Sequence, residues 1–157
     1  MTETPSNAAG KSGAETASHP LGHLIGRRVP GGTFKLADYE NWLAHDALYS
    51  VPDAAPHPVM AFIAAQRGMG CSVDELFELL EADIADGPLL ASTTIDIERE
   101  LQTNRTYAVT GEVTGLVRKS GAALGEFDLA TCTFAMSDDQ DQPVGTVTNV
   151  YAIRRPA

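Results

Sequence analysis

Two cysteines in 157 residues, Cys71 and Cys132, are too few for a disulfide framework and lack metal-type spacing. They read as reduced thiols of a cytosolic protein, one between helical stretches and one in a strand. Positive charge is also scarce. Eleven Lys and Arg face 21 Asp and Glu, a formal net charge of −10. That balance argues against nucleic acid or an anionic membrane as partner, since both need a positive patch. It leaves room for an anionic small ligand, because a few local Arg residues outweigh distant charge. No apolar run approaches the roughly 20 residues that span a bilayer. The polar N-terminus lacks the basic start and apolar run of a signal peptide. There is no Ser-His-Asp signature, Gly-rich phosphate loop, metal-ligand cluster or internal repeat. No metal or cofactor is therefore expected.

The chain does have one stretch that is apolar on every side, Val59 to Ala65. A helix with no wet face is a buried one. Pro58 suits the first helical position and Gly68 the residue just past the end. Before it, residues 1–20 are rich in Ser, Thr, Ala, Gly and Glu and should form a disordered tail. Residues 21–157 are expected to form one domain. A short strand is expected at Thr33 to Leu36, after the turn signal Pro30-Gly31-Gly32. A helix over Ala37 to Leu48 follows from the spacing of Leu36, Tyr39, Leu43 and Ala47. Ser50 to Pro58, with three prolines, reads as loop.

Beyond the central stretch, Ser72-Val73-Asp74-Glu75 is a capping box. It opens a helix with Val73, Leu76, Phe77 and Leu80 as its apolar stripe. From Leu89 the period changes to two. Ile95 and Ile97 alternate with charge, and Tyr107, Val109, Val113 and Val117 share one expected face. Lys119 to Gly125 reads as a hairpin turn, Phe127 to Met136 as a strand, Ser137 to Pro143 as a turn and Val144 to Ile153 as a last strand. Consecutive strands with short turns make an antiparallel meander. Helices first and strands later indicate an α+β domain with its helices on one face of the sheet.

These residues resemble the MaoC-like acyl dehydratases and hydratases, including fatty-acid-synthase-type relatives, over roughly Leu36 to Arg154. Tyr107 to Val113, Lys119, Gly121, Phe127 to Phe134 and Val144 to Val147 are similar to that family's C-terminal hairpins. Ala55 to Phe62 is similar to its central-helix entry, commonly Ala-His-Gly-Met or Ala-Pro-Pro-Thr-Phe. The resemblance implies a hot-dog fold, a curved antiparallel sheet wrapped around a buried helix. It also implies an acyl-thioester (CoA) substrate and a homodimer or heterodimer with another hot-dog subunit. The family's catalytic Asp and His lie in an Asp-x-Asn-Pro-x-His loop, and that motif is absent here. Leu48 to Ala54 is too short for the usual overhang.

The nearest acid–base candidates are His45, Asp46 and His57. His45 and Asp46 are adjacent on a helix and point about 100° apart, so a side-by-side dyad is not expected, and a solvated polar face is their default. The resemblance places His57 at the family's His, at a helix N-terminus that favours negative charge. The family's next residue donates its N–H to the thioester carbonyl. Here it is Pro58, which has none, and Val59 N–H is the available substitute. Trp42 and Tyr49 are candidates for a pocket wall, although aromatics beside apolar neighbours are more often core. Arg99, Arg105, Arg118, Arg154 and Arg155 are candidate phosphate anchors, Arg105 with Asn104 in a turn between strands.

The leading expectation is an enoyl-CoA hydratase or 3-hydroxyacyl-thioester dehydratase, or the non-catalytic half of a two-subunit one. The alternatives are an acyl or small-molecule binding module without turnover, and a hot-dog thioesterase. The thioesterase would want a carboxylate on the central helix, and Val59 to Ala65 carries none. The rival architecture is a cone-shaped α+β fold of the nuclear-transport-factor-like type.

Overall fold

The computed structural model describes residues 19–51, 55–123 and 125–155. Eight main elements follow in chain order: β1 (Arg28–Lys35), α1 (Asp38–Ala47), α2 (Val59–Gly68), α3 (Val73–Leu79), β2 (Leu89–Ile97), β3 (Thr106–Gly121), β4 (Gly125–Ser137) and β5 (Pro143–Arg154). The strands form one antiparallel sheet in the order β1-β3-β4-β5-β2. β3, β4 and β5 are the expected meander. β2 does not continue it: it crosses over to pair with β5, which leaves β1 and β2 as the two edges. α2 lies against all five strands, the α+β hot-dog arrangement.

The inner face of α2 is made of small side chains. Met60, Ala61, Ala64, Ala65 and Gly68 are buried, and a Cβ on Gly68 would overlap the side chain of Val109. Gly68 is thus the last helical residue, flush against β3, and not the first beyond the helix. The helix is also not wholly covered. Val59, Phe62 and Ile63 are only half-buried, so one flank stays open in the single chain.

Two further expectations change because of β-bulges, which shift a strand's faces by one residue. Pro30-Gly31-Gly32 does not end before a short strand. It is a bulge inside the longer β1, with the register break between Val29 and Gly32. Proline is tolerated there because β1 is an edge. Gly31, at φ +79°, donates its N–H to the Met69 carbonyl at 2.8 Å and so ties the bulge to the end of α2. In β3 the register breaks between Val113 and Gly115. Leu116 therefore turns inward and Val117 outward, against the simple alternation.

The capping box forms as expected: Glu75 N–H donates to Ser72 Oγ and Ser72 N–H to Glu75 Oε2. Leu76, Phe77 and Leu80 are buried, while Val73 is exposed. The α1 stripe fails: Tyr39 and Leu43 are exposed. Most of the tail, residues 1–18, lies outside the described residues. His19 and Pro20 belong with the fold, because His19 Nε2 lies 2.8 Å from Asp128 Oδ1.

Asp128 sits on β4 with no exposed surface. Arg118 holds it with two bonds of 2.9 and 3.2 Å, and Arg155 Nε with one of 2.8 Å. Arg155 also donates to the carbonyls of Leu80 and Glu81. One carboxylate thus joins the N-terminal segment, the β3–β4 hairpin, the end of β5 and the end of α3. Arg118 and Arg155 are occupied in this cluster, not free to anchor a ligand.

Burial alone would raise the Asp128 carboxyl. The Arg118, Arg155 and His19 bonds outweigh it and hold the group far below the usual carboxylate range. A depressed folded-state pKa contributes stability that is complete above about pH 4 and is lost as pH falls below it. Asp128→Ala, which strands two guanidinium groups, should cost about 3 kcal/mol in urea unfolding. Its stability should also fall less steeply than the wild type's below about pH 4. A second substitution tests the α2 docking: Gly70 has φ +76°, and a Cβ there would overlap the Gly31 carbonyl. Gly70→Ala should cost about 3 kcal/mol or more, read as a lowered thermal midpoint.

Candidate functional site

The entrance of α2 is built by three segments. α1 ends at Ala47, and Asn41 on it accepts the His57 backbone N–H through Oδ1 at 2.9 Å, which pins the prolyl loop onto α1. β2 ends at Ile97, and the chain then passes through Glu100 and Leu101. Together these surround a cleft of about 420 Å³ lined by His45, His57, Pro58, Ile97, Glu100 and Leu101.

His45 and His57 do come together. Their ring centroids are 5.3 Å apart and the rings nearly perpendicular, at 85°. His45 is not on a solvated face: it is 4% exposed, because α1 turns this position, and not its Tyr39–Leu43 stripe, toward the central helix. Its Nδ1 lies 2.9 Å from Ser50 Oγ, and its buried Nε2 meets no hydrogen-bond partner among the described residues. Asp46 points away and is exposed, as the helix geometry requires, so no His45–Asp46 dyad forms.

The expected substitute donor is not available. Val59 N–H donates to His57 Nδ1 at 3.1 Å. Met60 N–H goes to the His57 carbonyl at 2.9 Å and Ala61 N–H to the Pro58 carbonyl at 3.0 Å. Pro58 has no N–H. Each of the first N–H groups at this helix entrance is therefore absent or already used, and none points at a ligand.

Arg105 lies where the turn was expected, after Asn104 at φ +59°. Its guanidinium donates to Asp139 at 3.0 Å, and Arg99 donates to Asp138 at 3.2 Å. Arg99, Arg105, Tyr107, Asp138 and Gln140 line a second, polar cleft of about 420 Å³, and Glu100 borders both clefts. Gln142 and Gln140 N–H groups and Arg99 hold the Asp138 carboxyl below its ordinary range.

Trp42 and Tyr49 line neither the core nor the cleft. They are 56% and 98% exposed, and Tyr49 adopts a left-handed φ of +52° that a bulky residue rarely takes. Tyr39, Leu43, Leu48 and Val51 are exposed as well, and Val51 borders the cleft.

Sequence reasoning missed Glu100, Asn41 and Asp128. Asp128 had a signal, since it alternates in phase with Ala130, Cys132, Phe134 and Met136. Glu100 and Asn41 had none, because only the fold brings them to the His57 entrance. Among the described residues, no group of His, Cys, Asp and Glu is placed to hold a metal ion. No helix among them is long and apolar enough to cross a membrane.

The five-stranded antiparallel sheet packed on α2 defines an α+β protein with the hot-dog fold. No protein-family model matches the sequence, and no curated protein matches it. The similarity lies in structure. One similar chain is from the HadBC (3R-hydroxyacyl-ACP dehydratase) complex of Mycobacterium tuberculosis, with TM-score 0.64, 10% identity and coverage of 82% of this chain and 96% of that one. Another is from the ChsH1-ChsH2 complex of the same organism, with TM-score 0.64, 13% identity and coverage of 83% and 86%. A MaoC-like dehydratase has TM-score 0.68 and 15% identity over 85% of this chain, which spans only 43% of that longer one. At such identities the likeness is one of fold.

The exposure of Trp42, the only tryptophan, can be read directly. The isolated chain should emit at the red-shifted wavelength of a hydrated indole and be quenched readily by acrylamide. A blue-shifted emission resistant to quencher would contradict the surface described above.

Proposed function

We propose that this chain is a subunit of an enoyl-thioester hydratase or dehydratase, the half that shapes the acyl pocket while a partner hot-dog chain supplies the catalytic loop. One observation carries the proposal: the entrance of α2 has no N–H left to give. Hydration of an enoyl thioester needs a base that takes a proton from water and a donor that holds the enolate oxygen. Loss of one such donor typically costs a hundredfold or more, on the order of 3 kcal/mol. Here Pro58 lacks the group and His57 consumes the next one. Two similar structures are described as complexes, HadBC and ChsH1-ChsH2, which supports a heteromeric reading. The open flank of α2, the edge strand β2 and the exposed Trp42–Tyr49 surface support a partner as well.

In this reading His57 and Val59 form the pocket mouth, and His45 its buried wall. Arg105 with Arg99 steers the anionic end of a CoA thioester, although Asp139 and Asp138 already balance both. The two free thiols, Cys71 and the buried Cys132, fit a reducing compartment such as the cytoplasm. A binding module without turnover is the second reading, favoured by the same lack of a free donor. A thioesterase is not favoured, since α2 carries no acidic residue.

The test is enoyl-CoA hydration by the purified chain, alone and with a candidate hot-dog partner. No turnover alone and turnover with the partner is the expected result. In that complex, Pro58→Ala should leave kcat within about twofold, against the hundredfold that a working oxyanion donor commands. Turnover by the chain alone that survives His57→Ala would remove His57 from the mechanism. Acyl-CoA binding without turnover in any combination would select the binding module.

A further inference from the structure

We propose that the cleft continues along α2 as an apolar groove ending in a neutral polar cluster, built for a medium-length acyl chain with a hydroxyl at its far end. This rests on the acyl-thioester reading of the cleft and adds what the remote end of that acyl group carries. Two walls define the groove. Val59, Phe62, Ile63 and Gln66 fall at helical spacing on one flank of α2, and all four are only half-buried. On β2, Thr93, Ile95 and Ile97 share the inner face, because their partners on β5 are the buried Asn149, Val147 and Gly145. Pro58 and Ile97 line the cleft, so both walls start there. From that mouth α2 runs about 10 Å to Gln66 at about 1.5 Å per residue. β2 runs about 13 Å back to Thr93 at about 3.3 Å per residue. Both lengths match the reach of an extended decanoyl chain.

At that depth polar groups join the walls. Gln66 Nε2 donates to Tyr151 Oη at 3.3 Å, Asn149 Nδ2 donates to the same oxygen at 3.1 Å, and Thr93 Oγ1 donates to Asn149 Oδ1 at 2.9 Å. Asn149 and Tyr151 are buried, while Gln66 and Thr93, at the two ends of the chain of bonds, are half-exposed. Hydrogen-bonded partners can be replaced by apolar groups of the same shape with little loss of stability, so folding alone does not call for this cluster. Among the described residues Thr93 Oγ1 and Gln66 Oε1 accept no hydrogen bond. Exchanging the Gln66 amide atoms lets Tyr151 donate to Oε1 and frees the NH2 group instead, so Gln66 keeps an open valence on either assignment. A terminal hydroxyl can bond to both Gln66 and Thr93, whereas a methyl group covers them and leaves them unsatisfied. None of the four side chains is charged, so a terminal carboxylate would meet no counter-charge.

The full-length chain is titrated calorimetrically with decanoyl-CoA, ω-hydroxydecanoyl-CoA and the mono-CoA thioester of decanedioic acid. The ω-hydroxy ligand should bind about tenfold tighter than decanoyl-CoA, the worth of one net hydrogen bond, and the carboxylated ligand should bind weakest. An isomer with its hydroxyl at mid-chain, beside Phe62 and Ile95, should lose the advantage, a comparison that needs no variant. Gln66→Leu and Thr93→Val, both at half-exposed positions, should each strengthen decanoyl-CoA and weaken the ω-hydroxy ligand without lowering the thermal midpoint. Equal affinities for decanoyl-CoA and its ω-hydroxy form, an equal gain from the mid-chain hydroxyl, or a preference that survives both substitutions overturns the polar terminus and leaves the acyl-thioester reading standing. If no thioester binds, that reading falls and the terminus falls with it.

Discussion

The close seating of α2 on the sheet is the contact on which the other parts of this fold depend. A ten-residue helix can touch five strands only if its inner face is nearly flat. Ala61, Ala64, Ala65 and Gly68 make it so, and Gly68 rests directly on Val109. The seat is locked at the far end of the helix. There the Gly31 bulge of β1 reaches the Met69 carbonyl and Gly70 packs against Gly31. Small residues gain little area of their own. What they permit is the approach of larger partners such as Phe34, Val109 and Phe134, which supply the buried surface.

The same seat governs the chemistry at the other end. Because the helix position is set by the sheet, the prolyl loop must enter at a given height, and Asn41 holds it there through the His57 N–H. The loop then satisfies the helix terminus internally. Val59, Met60 and Ala61 donate to His57 and Pro58 atoms, and Pro58 needs no acceptor. An N-terminus capped in this way is stable, and its partial charge is spent within the chain. Local stability and an open oxyanion site compete for the same few N–H groups, and here stability has taken them.

The surfaces of the chain divide according to how well they are closed. The side around Asp128 is tied together: four segments meet on one carboxylate, with Arg118 and Arg155 as the main partners. The side around α1 is not. Tyr39, Trp42, Leu43, Tyr49 and Val51 are exposed, Val51 at the border of the cleft, and β2 leaves an edge unpaired. A partner on this side would cover apolar surface and border the cleft at once.

Much of the fold was legible from periodicity and local chemistry. The capping box at Ser72, the central helix, the meander of β3, β4 and β5, and the hot-dog plan all follow from spacing, turn residues and the resemblance, since each depends on neighbours in sequence. Expectations failed where distant parts of the chain decide. The bulges at Gly31 and after Val113 reverse which residues face inward, and β2 pairs with β5 only once the sheet is assembled. At the site, His57 at the mouth of the helix and the loss of a donor at Pro58 could be read from the sequence, because proline's missing N–H is a covalent fact. The Val59 N–H is consumed only two residues away, by His57 Nδ1, whereas tertiary structure decided that His45 is buried beside His57 and that Glu100 joins them. Those relations depend on which atoms meet across 12 to 43 positions of sequence when α1 and the end of β2 close around α2, and no local pattern encodes such a meeting.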